Sequence, residues 1–190
     1  GKTTLTEGVY AEHVAPFPAP INPWHADYWS GASSSGTGVA VAAGLCRAAL
    51  GSETGGSIKL PSAANGVPAI KPTWGRGSRH GVFELAATLD HVGPLAASVS
   101  DAASILEAIA GPDPLDPTAS QQPAGPYGPA LKRGINQLRV GIDPAWISDG
   151  VDSETHSALD AAVATLADQG AQVREIKVPD VTDMHRDWFT

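Results

Sequence analysis

Short apolar runs that alternate with helix-period patterns predict an α/β layered fold for this chain. Three observations carry the prediction. Runs of strand length fall at Ala48 to Leu50, Val67 to Ile70 and Leu138 to Ile142, with helical patterns between and after them. Hydrophobic residues make up 42% of the 190 and charged residues 17%, the balance of a globular domain able to bury a core. The 21 glycines and 16 prolines concentrate in a few segments, which marks those segments as loops.

Residues 15–23 (APFPAPINP) carry four prolines, each without an N–H to donate, and read as an extended loop. Gly31 to Gly38 (GASSSGTG) is small and polar and leads into Val39 to Arg47, an Ala-rich helix candidate whose N-terminus points back at the serines. Ala48 to Leu50 reads as a buried strand, followed at once by Ser52-Glu53-Thr54-Gly55-Gly56-Ser57. Pro61 can start a helical turn, and Val67 to Ile70 reads as a second strand before Lys71-Pro72. From Val99 to Ala110, residues Ala102, Ala103, Leu106, Ile109 and Ala110 recur at helical spacing, with Ser98 or Ser100 as cap and Gly111-Pro112 as the stop. Residues 113–129 hold five prolines and read as a loop or linker. Leu138 to Ile142 is a strand, and Asp152 to Gln169 is an amphipathic helix. That helix carries Leu159, Ala162, Val163, Leu166 and Ala167 on one face, with Gly170 just past its end. Val173, Ile176 and Val178 suggest a strand after it. No internal repeat is visible.

Composition excludes several functions. Twelve Lys and Arg against 20 Asp and Glu leave a net charge of −8, which argues against nucleic-acid binding, since that needs a cationic surplus to displace counterions. The single cysteine, Cys46, rules out an internal disulfide framework and a Cys-based zinc cluster. The best apolar run, Val39 to Cys46, stops at Arg47, short of the roughly 20 residues a membrane span needs, and no signal peptide is seen. The expectation is a soluble cytoplasmic protein. Met184 is the only methionine, so Gly1 is not a natural start, and the chain reads as a piece of a longer protein.

Chemistry can sit in three places: Lys2, the cluster Ser33-Ser34-Ser35, and Gly55-Gly56-Ser57. The plain readings are a flexible linker for the serines and a turn for Gly-Gly-Ser. Each, however, lies beside an apolar segment, a poor place for a linker. Gly55 and Gly56 let the backbone approach a ligand closely, and their amides can form an oxyanion hole. Gly-x-Ser-x-Gly is absent, and a Ser-x-x-Lys pair at Ser57 meets Leu60. Lys59 is a weak candidate base for Ser57, because residues two apart do not share a helix face. His13, His25, His80, His91, His156 and His185 show no metal-binding spacing and read as surface or structural.

The residues from Ser30 to Gly44 (SGASSSGTGVAVAAG) and from Ala49 to Pro61 (ALGSETGGSIKLP) resemble the amidase signature. Gly1 to Glu7 (GKTTLTE) is similar to the lysine motif of that family, and Asn22-Pro23 to the segment before its serine loop. Gly66 to Arg76 (GVPAIKPTWGR) and Thr88 to Pro94 (TLDHVGP) are similar to later blocks. The likeness is strong through Gly111 and looser to about Pro179. It implies an α/β/α layered fold around a mixed β-sheet, truncated at both ends. Residues 1–190 would be one partial domain, with a signature core at 1–111, a Pro-rich loop at 112–130 and a strand–helix–strand at 131–190.

The resemblance further implies a Ser–Ser–Lys triad and amide hydrolysis through an acyl-enzyme, giving an acid plus ammonia or an amine. Ser57 would be the nucleophile, Ser33 the relay on a cis peptide bond, and Lys2 the base. Amides of Thr54, Gly55, Gly56 and Ser57 would hold the oxyanion, and Ser34 would support the loop. A serine hydroxyl is a weak nucleophile until a base takes its proton, and lysine serves only when neutral, so Lys2 would have to be buried. Ala32 and Ser35 stand where glycine is common in the family. Glu53 and Lys59 stand where Asp and Arg are usual; charge sign is kept, so an ion pair can survive without the planar fork of arginine.

No cofactor and no metal are implied. The expected partner is a small-molecule amide, with neither nucleic acid nor membrane, and a homodimer remains open. Trp24, Tyr28 and Phe83 are candidate pocket residues, with packing the plainer reading of each. Three alternatives stand: the A subunit of a tRNA-dependent amidotransferase, a catalytically dead fragment, and a truncated P-loop. In the last, Lys2 would contact phosphate and Thr3 a magnesium ion, but the chain has no convincing metal-binding strand to follow them.

Overall fold

In the computed structural model, which describes Thr3 and residues 18–188, the chain forms two units, residues 1–131 and 132–190. In the first unit, helix α1 spans Ser35–Ala42, strand β1 Ala48–Glu53, helix α2 Lys59–Asn65, strand β2 His91–Ala96, helix α3 Val99–Ile109 and the short helix α4 Tyr127–Ala130.

Helix α1 begins inside the serine cluster and ends before the expected Arg47. Gly44 stops it. At φ +71° Gly44 adopts the left-handed conformation, its N–H donates to Val41 O at 3.0 Å, and the Leu45 N–H donates to Ala40 O at 2.9 Å. Helix α2 ends in the same way on Gly66 (φ +65°), with Gly66 N–H to Ala63 O at 3.3 Å and Val67 N–H to Ser62 O at 3.1 Å. These paired bonds satisfy the last carbonyls of each helix and turn the chain sharply.

Strands β1 and β2 pair antiparallel from Ala48↔Ala96 to Glu53↔His91. Strand β2 was not legible as a strand, because Gly93 and Pro94 lie in its middle. Its other edge takes residues 68–70: Ile70 N–H donates to Pro94 O and Ala96 N–H to Pro68 O, both at 2.9 Å. The expected Val67 to Ile70 strand is therefore a single bridge, Ala69↔Leu95, since Pro68 brings no N–H. Gly93 permits the close approach; a Cβ there would lie 2.1 Å from Ile70 O.

Val41, Ile58, Val67 and Leu95 form the core of this unit, with Cys46, Ala49 and Ala69 packed at its margin. Ala48 to Leu50 is less buried than expected: Leu50 is 48% exposed, and the strand runs on to the buried Glu53. Helix α3 buries Ala102, Ala103 and Leu106. Ser98 caps it, accepting the Asp101 N–H at 3.1 Å, and Arg47 reaches Asp101 at 2.8 Å. The Pro-rich stretch after α3 is tied down rather than linker-like. Asp116 accepts the Arg79 N–H at 2.7 Å, Ser78 donates to Asp113 at 2.6 Å, and Ser120 N–H donates to Gly75 O at 2.7 Å.

The second unit contains strand β3 (Arg139–Ile142), helix α5 (Pro144–Ser148), helix α6 (Ser153–Asp168), strand β4 (Gln172–Glu175) and helix α7 (Thr182–Trp188). Strands β3 and β4 are parallel, in register from Arg139↔Gln172 to Ile142↔Glu175, and the helices α5 and α6 occupy the crossover. Asp143 accepts the N–H groups of Ala145 and Trp146 at the start of α5 and that of Val178 beyond β4. Asp152 caps α6, accepting from Glu154 at 3.0 Å and Thr155 at 2.9 Å. No residue of α6 is fully buried; Val163 and Leu166 are half-buried and Leu159 is exposed. A two-stranded sheet is too narrow to cover the whole apolar stripe. Among the described residues no helix is long and apolar enough to cross a membrane.

Candidate active site

The serine loop is seated on the start of α2. Gly31 (φ +77°) has no room for a side chain, because a Cβ would lie 2.4 Å from Pro61 Cα. The buried Asn65 Nδ2 donates to Ser30 O and Pro61 O, both at 2.9 Å, and so fixes the start of the loop to the helix end. Nearby, Asn22 Nδ2 donates to Trp29 O at 2.9 Å and to Ala64 O at 2.8 Å. The peptide bond between Ala32 and Ser33 is cis.

Ser34 links this loop to two others. Its Oγ donates to Ser52 O at 3.2 Å and accepts the Ser52 N–H at 3.1 Å, while its own N–H donates to Ser57 O at 3.2 Å. Gly51 leaves the space, since a Cβ there would lie 2.8 Å from Ser34 Oγ. One turn on, Thr37 Oγ1 donates to Leu50 O at 3.1 Å and lies 3.3 Å from Thr3 Oγ1. The Thr3 hydroxyl, which the nucleotide reading assigns to magnesium, thus faces another threonine.

The Gly-Gly-Ser turn is closed by Glu53. This carboxylate is buried. Its Oε2 accepts the N–H of Ile58 at 2.6 Å and of Lys59 at 3.1 Å, and its Oε1 pairs with Lys59 Nζ. The ion pair expected to survive the Glu53 and Lys59 replacements is therefore formed. Because the carboxylate takes the amides of residues 58 and 59, the turn before them is left open. Among the described residues, the N–H groups of Thr54, Gly55, Gly56 and Ser57 donate to no protein acceptor. Gly56 holds φ +147°.

Asp90 ties the turn to the loop ahead of β2. Its Oδ1 accepts the Thr54 hydroxyl at 2.5 Å, and its Oδ2 accepts the N–H of Leu85 at 2.8 Å and of Ala86 at 3.0 Å. Burial pushes the Asp90 carboxyl up, but the Thr54 hydroxyl, the two amides and the Arg79 guanidinium outweigh it and hold it below the ordinary 3.8. A carboxyl depressed in the folded state stabilises at neutral pH, and that contribution is lost as pH falls through its folded value. Asp90→Asn is therefore expected to lower stability at pH 7 by about 1.5–3 kcal/mol, the worth of a hydrogen bond to a charged group. In thermal melts the gap between variant and wild type narrows below about pH 4, as the wild-type carboxyl protonates.

Two cavities open on this assembly. One, of about 290 Å³, is lined by Thr3, Ser33, Ser34, Thr37, Ser52 and Val82 among others. The second, of about 350 Å³, is lined by Ser33, Ser52, Thr54, Val82, Phe83, Glu84, Leu85 and Asp90. Ser33 borders both. Ser57 lines neither, and it meets the serine loop through its carbonyl. Lys2 lies outside the described residues. The candidate pocket residues diverge: Phe83 lines the second cavity, Trp24 Nε1 donates to Asn65 O at 2.8 Å, and the Tyr28 ring lies 4.9 Å from that of His25. Sequence reasoning missed the parts played by Asp90 and Asn65. Asp90 stood inside the Thr88 to Pro94 block without an assigned role, and Asn65 carried no signal at all.

Comparison with known proteins shows the family to which the chain belongs. The family model Amidase matches residues 1–190. Over 172 residues the chain is 49% identical to a Mycobacterium tuberculosis protein named "Putative amidase AmiD", covering 90% of this chain and 35% of that protein. It is 46% identical over 182 residues to the glutamyl-tRNA(Gln) amidotransferase A subunit of Thermosynechococcus vestitus, covering 94% of this chain and 38% of that one. The crystal structure of the corresponding glutamyl-tRNA(Gln) amidotransferase protein from Thermotoga maritima superposes with a TM-score of 0.88 at 31% identity, over 100% of this chain and 42% of that one. The chain thus spans a little over a third of the length of these curated relatives. With the serine loop, the Gly-Gly-Ser turn and a family match that runs from first residue to last, this chain belongs to the amidase family.

Proposed function

We propose that the full-length protein containing this chain is an amide hydrolase, acting on linear C–N bonds other than peptide bonds. The observation that carries the reading is the joining of the two serine loops through the Ser34 N–H and the Ser57 carbonyl, 3.2 Å apart. Ser57 Oγ attacks the amide carbon. Its proton passes to Ser33 Oγ, and the Ser33 proton passes to neutral Lys2 Nζ. The tetrahedral oxyanion is held by the open amides of Thr54, Gly55, Gly56 and Ser57. The proton then returns along the same path to the leaving nitrogen, the C–N bond breaks, and water hydrolyses the acyl-Ser57 ester to an acid. Ser34, clasped to Ser52, supports Ser33, and Glu53 and Asp90 support the turn. No cofactor takes part in these steps.

A second reading is the A subunit of an amidotransferase, which releases ammonia from an amide donor for a partner protein. The whole-chain superposition on the Thermotoga maritima structure supports it. The two readings share the triad and differ in substrate and partner. Fluorophosphonate labelling of the full-length protein, with peptide mapping, tests the shared step. Label is expected on Ser57 and is expected to collapse in Lys2→Ala; a folded protein that takes no label would overturn both readings.

A further inference from the structure

We propose that Val82, Phe83 and Leu85 form an apolar wall that accepts the hydrophobic group of the amide substrate, with Glu84 at its edge turning carboxylate-bearing amides away. The proposal rests on the amide-hydrolase reading and assigns that site a substrate class: uncharged aromatic or aliphatic amides.

The lining of the second cavity is of two kinds: Ser33, Ser52, Thr54 and Asp90 are polar, and Val82, Phe83 and Leu85 are apolar, with Glu84 among them. Its volume of about 350 Å³ lies in the range of small-molecule sites, which are mostly apolar with a few placed polar groups. Phe83 is 99% exposed and Leu85 68%, so the wall spends neither side chain on the core.

The wall is held in place rather than loose. The Asp90 carboxylate takes the Leu85 and Ala86 amides, Val82 N–H donates to Arg79 O at 3.0 Å, and the buried Arg79 guanidinium donates to Ala87 O. The Asp90 oxygen that does not hold the wall holds Thr54, at the head of the proposed oxyanion turn. One carboxylate therefore sets the distance between wall and turn, which is what a pocket that seats a group beside a reacting carbonyl requires. Glu84 pairs with Arg79 at 3.8 Å; the arginine side chain is 6% exposed and the glutamate 60%, so of the two it is the carboxylate that meets the solvent. A carboxylate on the substrate would meet like charge there, whereas an uncharged group would not.

The test uses the full-length protein with benzamide, acetamide and succinamate as probes. Binding is measured by calorimetry and turnover by ammonia release. Benzamide is expected to bind at least ten-fold more tightly than acetamide, and Phe83→Ala to reduce that ratio about ten-fold, chiefly by weakening benzamide. Phe83→Leu is expected to fall between the two, and Glu84→Gln to raise turnover of succinamate relative to benzamide. A benzamide-to-acetamide binding ratio unchanged by Phe83→Ala overturns the proposal, even if all three amides are hydrolysed. If no amide is turned over but the ratio shifts as expected, the wall stands and the hydrolase reading fails.

Discussion

Ser57→Ala in the full-length protein is expected to lower kcat/KM for amide hydrolysis by a factor on the order of 10⁴–10⁶, leaving the fold intact. That is the loss seen when the nucleophile of a serine–base unit is removed and only binding and oxyanion stabilisation remain. Ser57 is half-buried, and among the described residues its side chain makes no hydrogen bond, so truncation removes the hydroxyl without stranding a partner. In the proposed relay of Ser57, Ser33 and Lys2, the three losses do not add. Ser33→Ala placed on top of Ser57→Ala should cost little more than Ser57→Ala alone. Steady-state ammonia release from single and double variants checks this. Additive losses would mean that Ser33 works outside the relay.

Glu53→Ala is expected to have the largest effect on stability. Glu53 is 1% exposed, and its carboxylate is the acceptor for the Ile58 and Lys59 amides that close the Gly-Gly-Ser turn. Removing it leaves the buried Ile58 N–H without an acceptor, at about 1–3 kcal/mol, and opens a hole the size of the side chain. The Gly-Gly-Ser turn would also lose its shape, so under the proposed mechanism activity should fall with stability. Lys59→Ala is expected to cost less. Lys59 is 63% exposed, and the two amides still bind the carboxylate when it is gone. Denaturant unfolding of the two variants gives the order; an equal loss for both would mean that the ion pair, rather than the amides, holds the turn.

The two variants probe features with different visibility in the amino-acid sequence. Helix α6 with its glycine stop at Gly170, and helix α3 with its Ser98 cap, rest on local rules, in which a residue acts on backbone within a few positions of itself. Such rules are readable one segment at a time. The serine loop and the Gly-Gly-Ser turn were also legible, because their residue types and spacing resemble one family and differ from the usual composition of a linker.

Contacts between distant segments were not legible. Strand β2 carries Gly93 and Pro94, which argue against a strand locally; it forms because Ala48–Glu53 lies along one edge and residues 68–70 along the other. Asp90 sits 36 positions from the threonine it binds, and Asn65 sits 35 positions from Ser30. Leu50 was expected inside and is half exposed, while Glu53, expected only to keep an ion pair with Lys59, is buried. A buried carboxylate runs against composition-based expectation and is tolerated only because two amides and a lysine converge on it.

By itself the sequence determined the family, the α/β alternation and the residue types available for chemistry. Only the tertiary structure decided that the Ser34 amide meets the Ser57 carbonyl, that the Glu53 carboxylate takes the Ile58 and Lys59 amides, and that Asp90 joins Thr54 of the Gly-Gly-Ser turn to the Leu85 and Ala86 amides. The division has a physical cause. Backbone conformation is set largely by neighbours along the chain, whereas a buried polar group must find its partner wherever packing brings one within about 3 Å.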